Sequence, residues 1–167
     1  MNEINALSYQ DFVQRFGFLF EHSPWVVVGA ADKRPFADLN AMHAAMIGVV
    51  ASEQPEAQLA LLRAHPKLAD KAAIAEGLTK ESASEQASAG LDKLNADEFA
   101  RFHALNEAYD TKFGFPFIIC VRLAGGKSGI LKAMNDRLNN SAEQERVTAL
   151  NEVARIVWMR LSDVVTV

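Results

Sequence analysis

A histidine followed by a proline, His65-Pro66, comes shortly before a compact Ser82-x-x-Glu85-Gln86. An imidazole titrates near neutral pH, where proton transfer is most efficient, and a carboxylate is a natural partner for it. Ser82, Glu85 and Gln86 stand at i, i+3 and i+4, so on a helix they share one face of the first turn. A hydroxyl, a carboxylate and a carboxamide beside the positive end of a helix suit an oxygen-rich, anionic small molecule. Each residue also has a plainer reading. A histidine in the last turn of a helix interacts favourably with the dipole, and the proline after it stops the helix. Ser82 and Glu85 have the spacing of a capping box. Arg160 and Arg155 lie in the C-terminal segment, where a solvated or ion-paired side chain is the default. Facing a pocket, the Arg160 fork could grip a carboxylate bidentately, as lysine cannot. The residues alone leave both readings open.

Other chemistries are excluded more firmly. The stretch "AGGKSG" invites a phosphate-loop reading, but that motif needs a glycine five positions before the Gly-Lys, where Val121 stands. No His-Glu-x-x-His, paired Cys-x-x-Cys or Gly-x-Ser-x-Gly occurs. His22, His43, His65 and His103 fall on different expected elements with no ligand spacing, so no metal site is expected. Cys120, the single cysteine, sits in apolar "FIICV" and reads as a small buried hydrophobe rather than a nucleophile.

The 167 residues suit one domain, 1–167, able to bury about two thirds of its unfolded surface. Half of the residues are apolar and 23% charged, an ordinary globular composition. A net charge of −4 gives no basic footprint for nucleic acid or anionic lipid. The longest apolar runs, "WVVVGAA" and "FPFIICV", are far short of a membrane span, so no membrane partner is expected. The first residues lack the pattern of a signal peptide and "SDVVTV" is no peroxisomal or prenylation signal, which makes a cytoplasmic protein the simplest expectation.

Helical periodicity dominates and predicts an all-α, single-domain bundle of about seven or eight helices. Phe12, Phe16, Leu19 and Phe20 share one face of a first helix opening at Ser8 and ended by "HSPW". Residues 38–52 read as a second, mostly buried helix, and Pro55 suits the first turn of a third that stops near Pro66. Ser82 is expected to cap a fourth. Asn95 or Asp97 opens a fifth that carries Phe99, Phe102, Leu105 and Tyr109 inward, with Gly114 closing it. "FPFIICVRL" is the one β-like run, a short edge strand or a buried extended segment. "GGKSG" turns into a helix around residues 130–138, and a last helix over 142–163 points Val147, Leu150, Val153, Ile156, Val157 and Leu161 inward.

These blocks, in this order, resemble the OHCU decarboxylase family, which acts on 2-oxo-4-hydroxy-4-carboxy-5-ureidoimidazoline in the conversion of urate to allantoin. The resemblance runs through "FEHSPWV", "RPF", "AHPKLA", "LTKESASEQASAGL", "LNEAYDTKFGFPFIICV" and "RIVWMRLSDVV". It implies an all-helical, cofactor-free carboxy-lyase, commonly a homodimer, with a small ureidoimidazoline as substrate. It further implies His65 as the catalytic histidine held by Pro66, Glu85 as its partner, and Pro66, Ser82 and Gln86 as substrate contacts. Phe117 and Ile118 would pack the ring and offer backbone groups to it, and Arg160 would be the C-terminal substrate arginine. Without the resemblance, the rivals are a helical interaction domain whose two motifs are only caps, or another cofactor-free lyase or hydrolase of ureides.

Overall fold

Local signals open most of the helices. The Ser8 hydroxyl accepts the Asp11 N–H and starts α2, Tyr9–Phe16, after a four-residue α1, Asn2–Asn5. Asp38 caps α4, Leu39–Ser52, by accepting the Ala41 N–H at 2.7 Å. Pro55 occupies the first turn of α5, Pro55–Arg63, where a missing N–H costs nothing. Asn95 and Glu98 form a reciprocal capping box at the start of α7, Ala96–Phe113. Gly114, at φ +71°, ends that helix in the left-handed conformation glycine adopts at no steric cost. The remaining helices are α3, Trp25–Ala31; α6, Lys80–Ser88; α8, Gly126–Arg137; and α9, Ala142–Val164.

The computed structural model describes residues 1–70 and 78–165. Among them there is no strand, and nine helices with two short 3₁₀ turns, Gly17–Leu19 and Val121–Leu123, make the all-α class plain. No helix among the described residues is long and apolar enough to cross a membrane. The chain divides into two compact units, one of residues 1–64 and 154–167, the other of residues 65–153.

In the first unit α2 packs on α3 and α3 on α4. Phe12, Phe16, Leu19, Phe20, Val26, Val27, Met42, Met46, Val157 and Leu161 are buried. Phe12 and Phe16 rings lie 5.0 Å apart, and the Arg34 guanidinium sits 4.8 Å over Phe12 while donating to the Leu7 carbonyl. In the second unit α7 packs against α8, and both α6 and α8 meet the Val121–Leu123 turn. Its core gathers Phe102, Tyr109, Phe113, Phe115, Phe117, Ile130 and Met134.

Several expectations need correction. The first helix stops at Phe16, and Leu19 reaches the core from a 3₁₀ turn. "WVVVGAA", read only as an apolar run, is the helix α3. β-Branched valines do not declare a helix locally; packing against two neighbours does. Ser82 is not the cap of its helix. Thr79 is: its hydroxyl accepts the Ser82 N–H, which puts Ser82 inside α6. α8 begins at Gly126, a turn earlier than expected. Val147 is 45% exposed, because the inward face of α9 runs through Glu145, Ala149, Glu152, Val153, Ile156, Val157, Arg160 and Leu161. Of the two readings of "FPFIICVRL", the structure adopts the buried extended segment over residues 115–120, not the edge strand.

Candidate active site

His65 follows the Ala64 cap of α5, so it lies beyond the last helical turn, whose cation is Arg63. It stands in a loop, residues 65–70, and is partly exposed, as is Pro66. Four side chains of the same unit, Gln86, Asn106, Glu107 and Asp110, pin that loop. The Gln86 Oε1 accepts the Ala69 N–H at 3.0 Å in a buried hydrogen bond. The Asn106 Nδ2 donates to the Leu68 carbonyl at 2.8 Å, and Lys67 pairs with Asp110 at 3.1 Å and Glu107 at 3.6 Å. Burial works against the Lys67 charge, but the Asp110 hydrogen bond and the fields of Asp110, Glu107 and Asp70 hold its pKa above the ordinary 10.5. Ala69 itself sits at φ +55°, a conformation that costs a non-glycine residue roughly 1 kcal/mol or more and persists where surrounding contacts dictate it. The Asn106 Oδ1 is buried without a hydrogen-bond partner among the described residues.

α6 supplies the second element. Ser82 and Gln86 are buried and Glu85 is partly exposed, so the i, i+3, i+4 face is turned toward the protein at both of its outer positions. Cys120 is buried, and desolvation first, then the negative fields of Glu152 and Glu85, push its thiol pKa up. That is the reverse of what a nucleophile needs, and the buried-hydrophobe reading of this residue stands.

The extended segment, residues 115–120, is the third element. With no strand beside it among the described residues, its buried peptide groups need partners other than a sheet ladder. The Arg137 Nη1 donates to the Ile118 carbonyl at 2.8 Å, and the Cys120 N–H donates to the Glu152 carboxylate at 2.8 Å. The guanidinium also lies 4.4 Å over the Phe117 ring. Its other nitrogens donate to Glu145 Oε1, Nε at 2.8 Å and Nη2 at 2.5 Å. Tyr109 donates its hydroxyl to the same carboxylate oxygen, and Asn140 donates to Oε2 at 2.7 Å. Glu145 is fully buried, yet both of its oxygens are engaged, which makes the burial tolerable. Desolvation and the Glu145 hydrogen bond drive the Tyr109 phenol well above its ordinary pKa of 10. The Tyr109 ring meets Phe117 edge-on at 5.3 Å and Phe115 at 5.9 Å.

Thus the His65 loop, the Ser82–Glu85–Gln86 face and the segment carrying Phe117 and Ile118 belong to one unit, and Gln86 ties the first two together. Arg160 belongs to the other unit. There it is 4% exposed, and its Nη1 donates to Glu21 at 3.2 Å, with the Phe18 and Leu19 carbonyls at 3.5 Å. No cluster of three or more His, Cys, Asp or Glu side chains is arranged to hold a metal ion among the described residues. Sequence reasoning overlooked Arg137, Glu145, Glu152, Asn106 and Tyr109 as polar supports. The available signal was two glutamates seven residues apart on the stripe of α9 that otherwise reads as core.

The chain is similar in sequence and in fold to known proteins. A sequence model of OHCU decarboxylase matches residues 5–162. The 2-oxo-4-hydroxy-4-carboxy-5-ureidoimidazoline decarboxylase of Amia calva is 39% identical over 99% of this chain and 94% of its own length. The enzyme of that name from Haloferax volcanii is 39% identical over 98% and 94%. A solved structure of (S)-allantoin synthase superposes with a TM-score of 0.77 at 29% identity, covering 97% of this chain, which spans 52% of that longer one. An OHCU decarboxylase solved in the presence of (S)-allantoin superposes at 0.70 with 20% identity and shares the fold. With a match from end to end and this identity, the chain belongs to the OHCU decarboxylase family.

Proposed function

We propose that this protein decarboxylates 2-oxo-4-hydroxy-4-carboxy-5-ureidoimidazoline to (S)-allantoin in urate breakdown. The observation that carries the reading is the family match over residues 5–162, which takes in His65, the Ser82–Gln86 face and the 115–120 segment together. The reaction breaks the bond from a ring carbon to the carboxylate and leaves an electron pair, which the conjugated heterocycle accepts. CO₂ departs, the ring nitrogen that received the electron pair takes up a proton, and the resulting enol becomes a ketone as its hydroxyl gives up a proton and the neighbouring ring carbon receives one, so that one proton is consumed overall. Because the substrate carries its own electron sink, an organic cofactor has no task here. The protein supplies orientation, electrostatics and proton transfer from one side.

In this mechanism His65, stiffened by Pro66, exchanges a proton with the 4-hydroxyl or the nascent carbanion. Glu85 hydrogen-bonds the hydroxyl or a ring nitrogen and crowds the departing carboxylate. Gln86 commits its Oε1 to Ala69, so its Nε2 is the end that donates to a substrate oxygen. Ser82 binds beside it. Phe117 packs the ring, and Ile118, whose carbonyl Arg137 holds, offers its N–H. The same reading carries a single functional domain that works as a homodimer in the cytosol, which sedimentation and cell fractionation test.

The decisive experiment follows circular dichroism in an allantoin band while urate is oxidised in the presence of hydroxyisourate hydrolase, with and without this protein. Rapid optically active product is expected, with His65→Ala, still folded, slower by about 10²–10⁴. Slow racemic product at the spontaneous rate, with wild-type protein present, would refute the activity. A fully active His65→Ala would remove the histidine from its role.

A further inference from the structure

The 115–120 segment has an unusual construction: extended and buried, outside any sheet, and gripped by charged side chains from two helices. Arg137 of α8 holds the Ile118 carbonyl and covers the Phe117 ring, while Glu152 of α9 accepts the Cys120 N–H. Glu145, two helical turns before Glu152 on the same face of α9, fixes the guanidinium through two of its nitrogens. One helix face therefore sets both ends of the grip. We propose that Arg137 and Glu152 are positioning residues that fix Phe117 and Ile118 as the orienting edge for the substrate ring, without touching substrate themselves. The inference rests on the proposed decarboxylase reading and deepens it.

Two features separate this role from generic core packing. The guanidinium is used on three sides at once, as a double donor to Glu145, a single donor to Ile118 and a flat cover for Phe117. Lysine's point charge cannot serve all three. The Cys120 N–H is a neutral amide, so its bond to Glu152 calls for a hydrogen-bond acceptor at that position, which a carboxamide oxygen also supplies. A displaced edge would let the ring bind in a misaligned pose, and a misplacement of about 1 Å can cost roughly a hundredfold in rate.

The test compares kcat and KM of wild type, Glu152→Gln, Glu152→Leu and Arg137→Lys on freshly generated substrate, well below each variant's melting temperature. The expected result is a tenfold to hundredfold loss of kcat in Glu152→Leu and Arg137→Lys, with KM within about threefold. Glu152→Gln, which keeps an acceptor oxygen, should retain kcat within about threefold. Three outcomes would overturn the inference: wild-type kcat in Glu152→Leu and Arg137→Lys, an effect on KM alone, or equal impairment in Glu152→Gln and Glu152→Leu. An inactive wild-type protein would sink the decarboxylase reading and this inference with it, whereas an active wild type with unimpaired variants sinks the inference alone.

Discussion

Replacing Tyr109 by Phe removes one hydroxyl from the Arg137–Glu145 cluster and leaves the ring, its edge-on contact with Phe117 and the core volume in place. At neutral pH the loss is one hydrogen bond to a buried carboxylate, about 1.5–3 kcal/mol. Glu145 keeps Arg137 and Asn140, so no unpaired buried charge adds to that figure. The pH dependence is more discriminating. The folded protein holds the Tyr109 proton at pH values where the unfolded chain, with its phenol near pKa 10, has released it. Unfolding above pH 10 therefore releases a proton, and rising pH favours the unfolded state by up to about 1.4 kcal/mol per pH unit. The Phe variant lacks this term, while every other group, Lys67 included, is common to both proteins and cancels in the difference. The wild-type advantage should hold flat below pH 10, shrink above it, and reach zero about one to two units higher, near pH 11–12. Urea unfolding of both proteins at intervals from pH 7 to 11.5 measures it. A difference that stays constant across that range would refute the reasoning, since it would mean the buried phenol ionises as easily as an exposed one.

The remaining predictions concern local structure. Thr79→Ala should cost about 0.5–2 kcal/mol in chemical denaturation with turnover retained, because Thr79 caps α6, whereas Ser82→Ala should be read out in turnover. Gly129→Ala would put a methyl 1.7 Å from the Ala124 carbonyl oxygen, a backbone atom, so the turn before α8 must open; a loss of about 3 kcal/mol or more is expected in thermal or urea unfolding. Lys67→Met should narrow the wild-type protein's stability advantage as pH rises above 10.5, since the folded pKa of Lys67 lies higher and its pairing stabilises only while it is charged.

How far the chain could be read without its structure depended on whether the deciding interaction was local. Ser8, Asp38, Pro55, Asn95 and Gly114 all mark helix ends correctly, because a cap is settled within four or five residues. The Phe12–Phe16 face and the class of the fold follow from periodicity in the same way. The blocks around His65, Glu85 and Phe117 identify the family because motif order is a property of the sequence itself. α3 escaped notice because its valines are helical only through packing on α2 and α4, and a Thr–Ser pair with similar spacing moved the cap of α6 from Ser82 to Thr79. Beyond the seven-residue spacing of Glu145 and Glu152 on the core stripe of α9, nothing local says that these two glutamates face in while Val147 faces out. Their burial is paid for by Arg137, Tyr109, Asn140 and the Cys120 amide, partners up to 36 residues away. Only the tertiary structure could decide that, since a charge enters a protein core only where distant groups have already been brought to meet it.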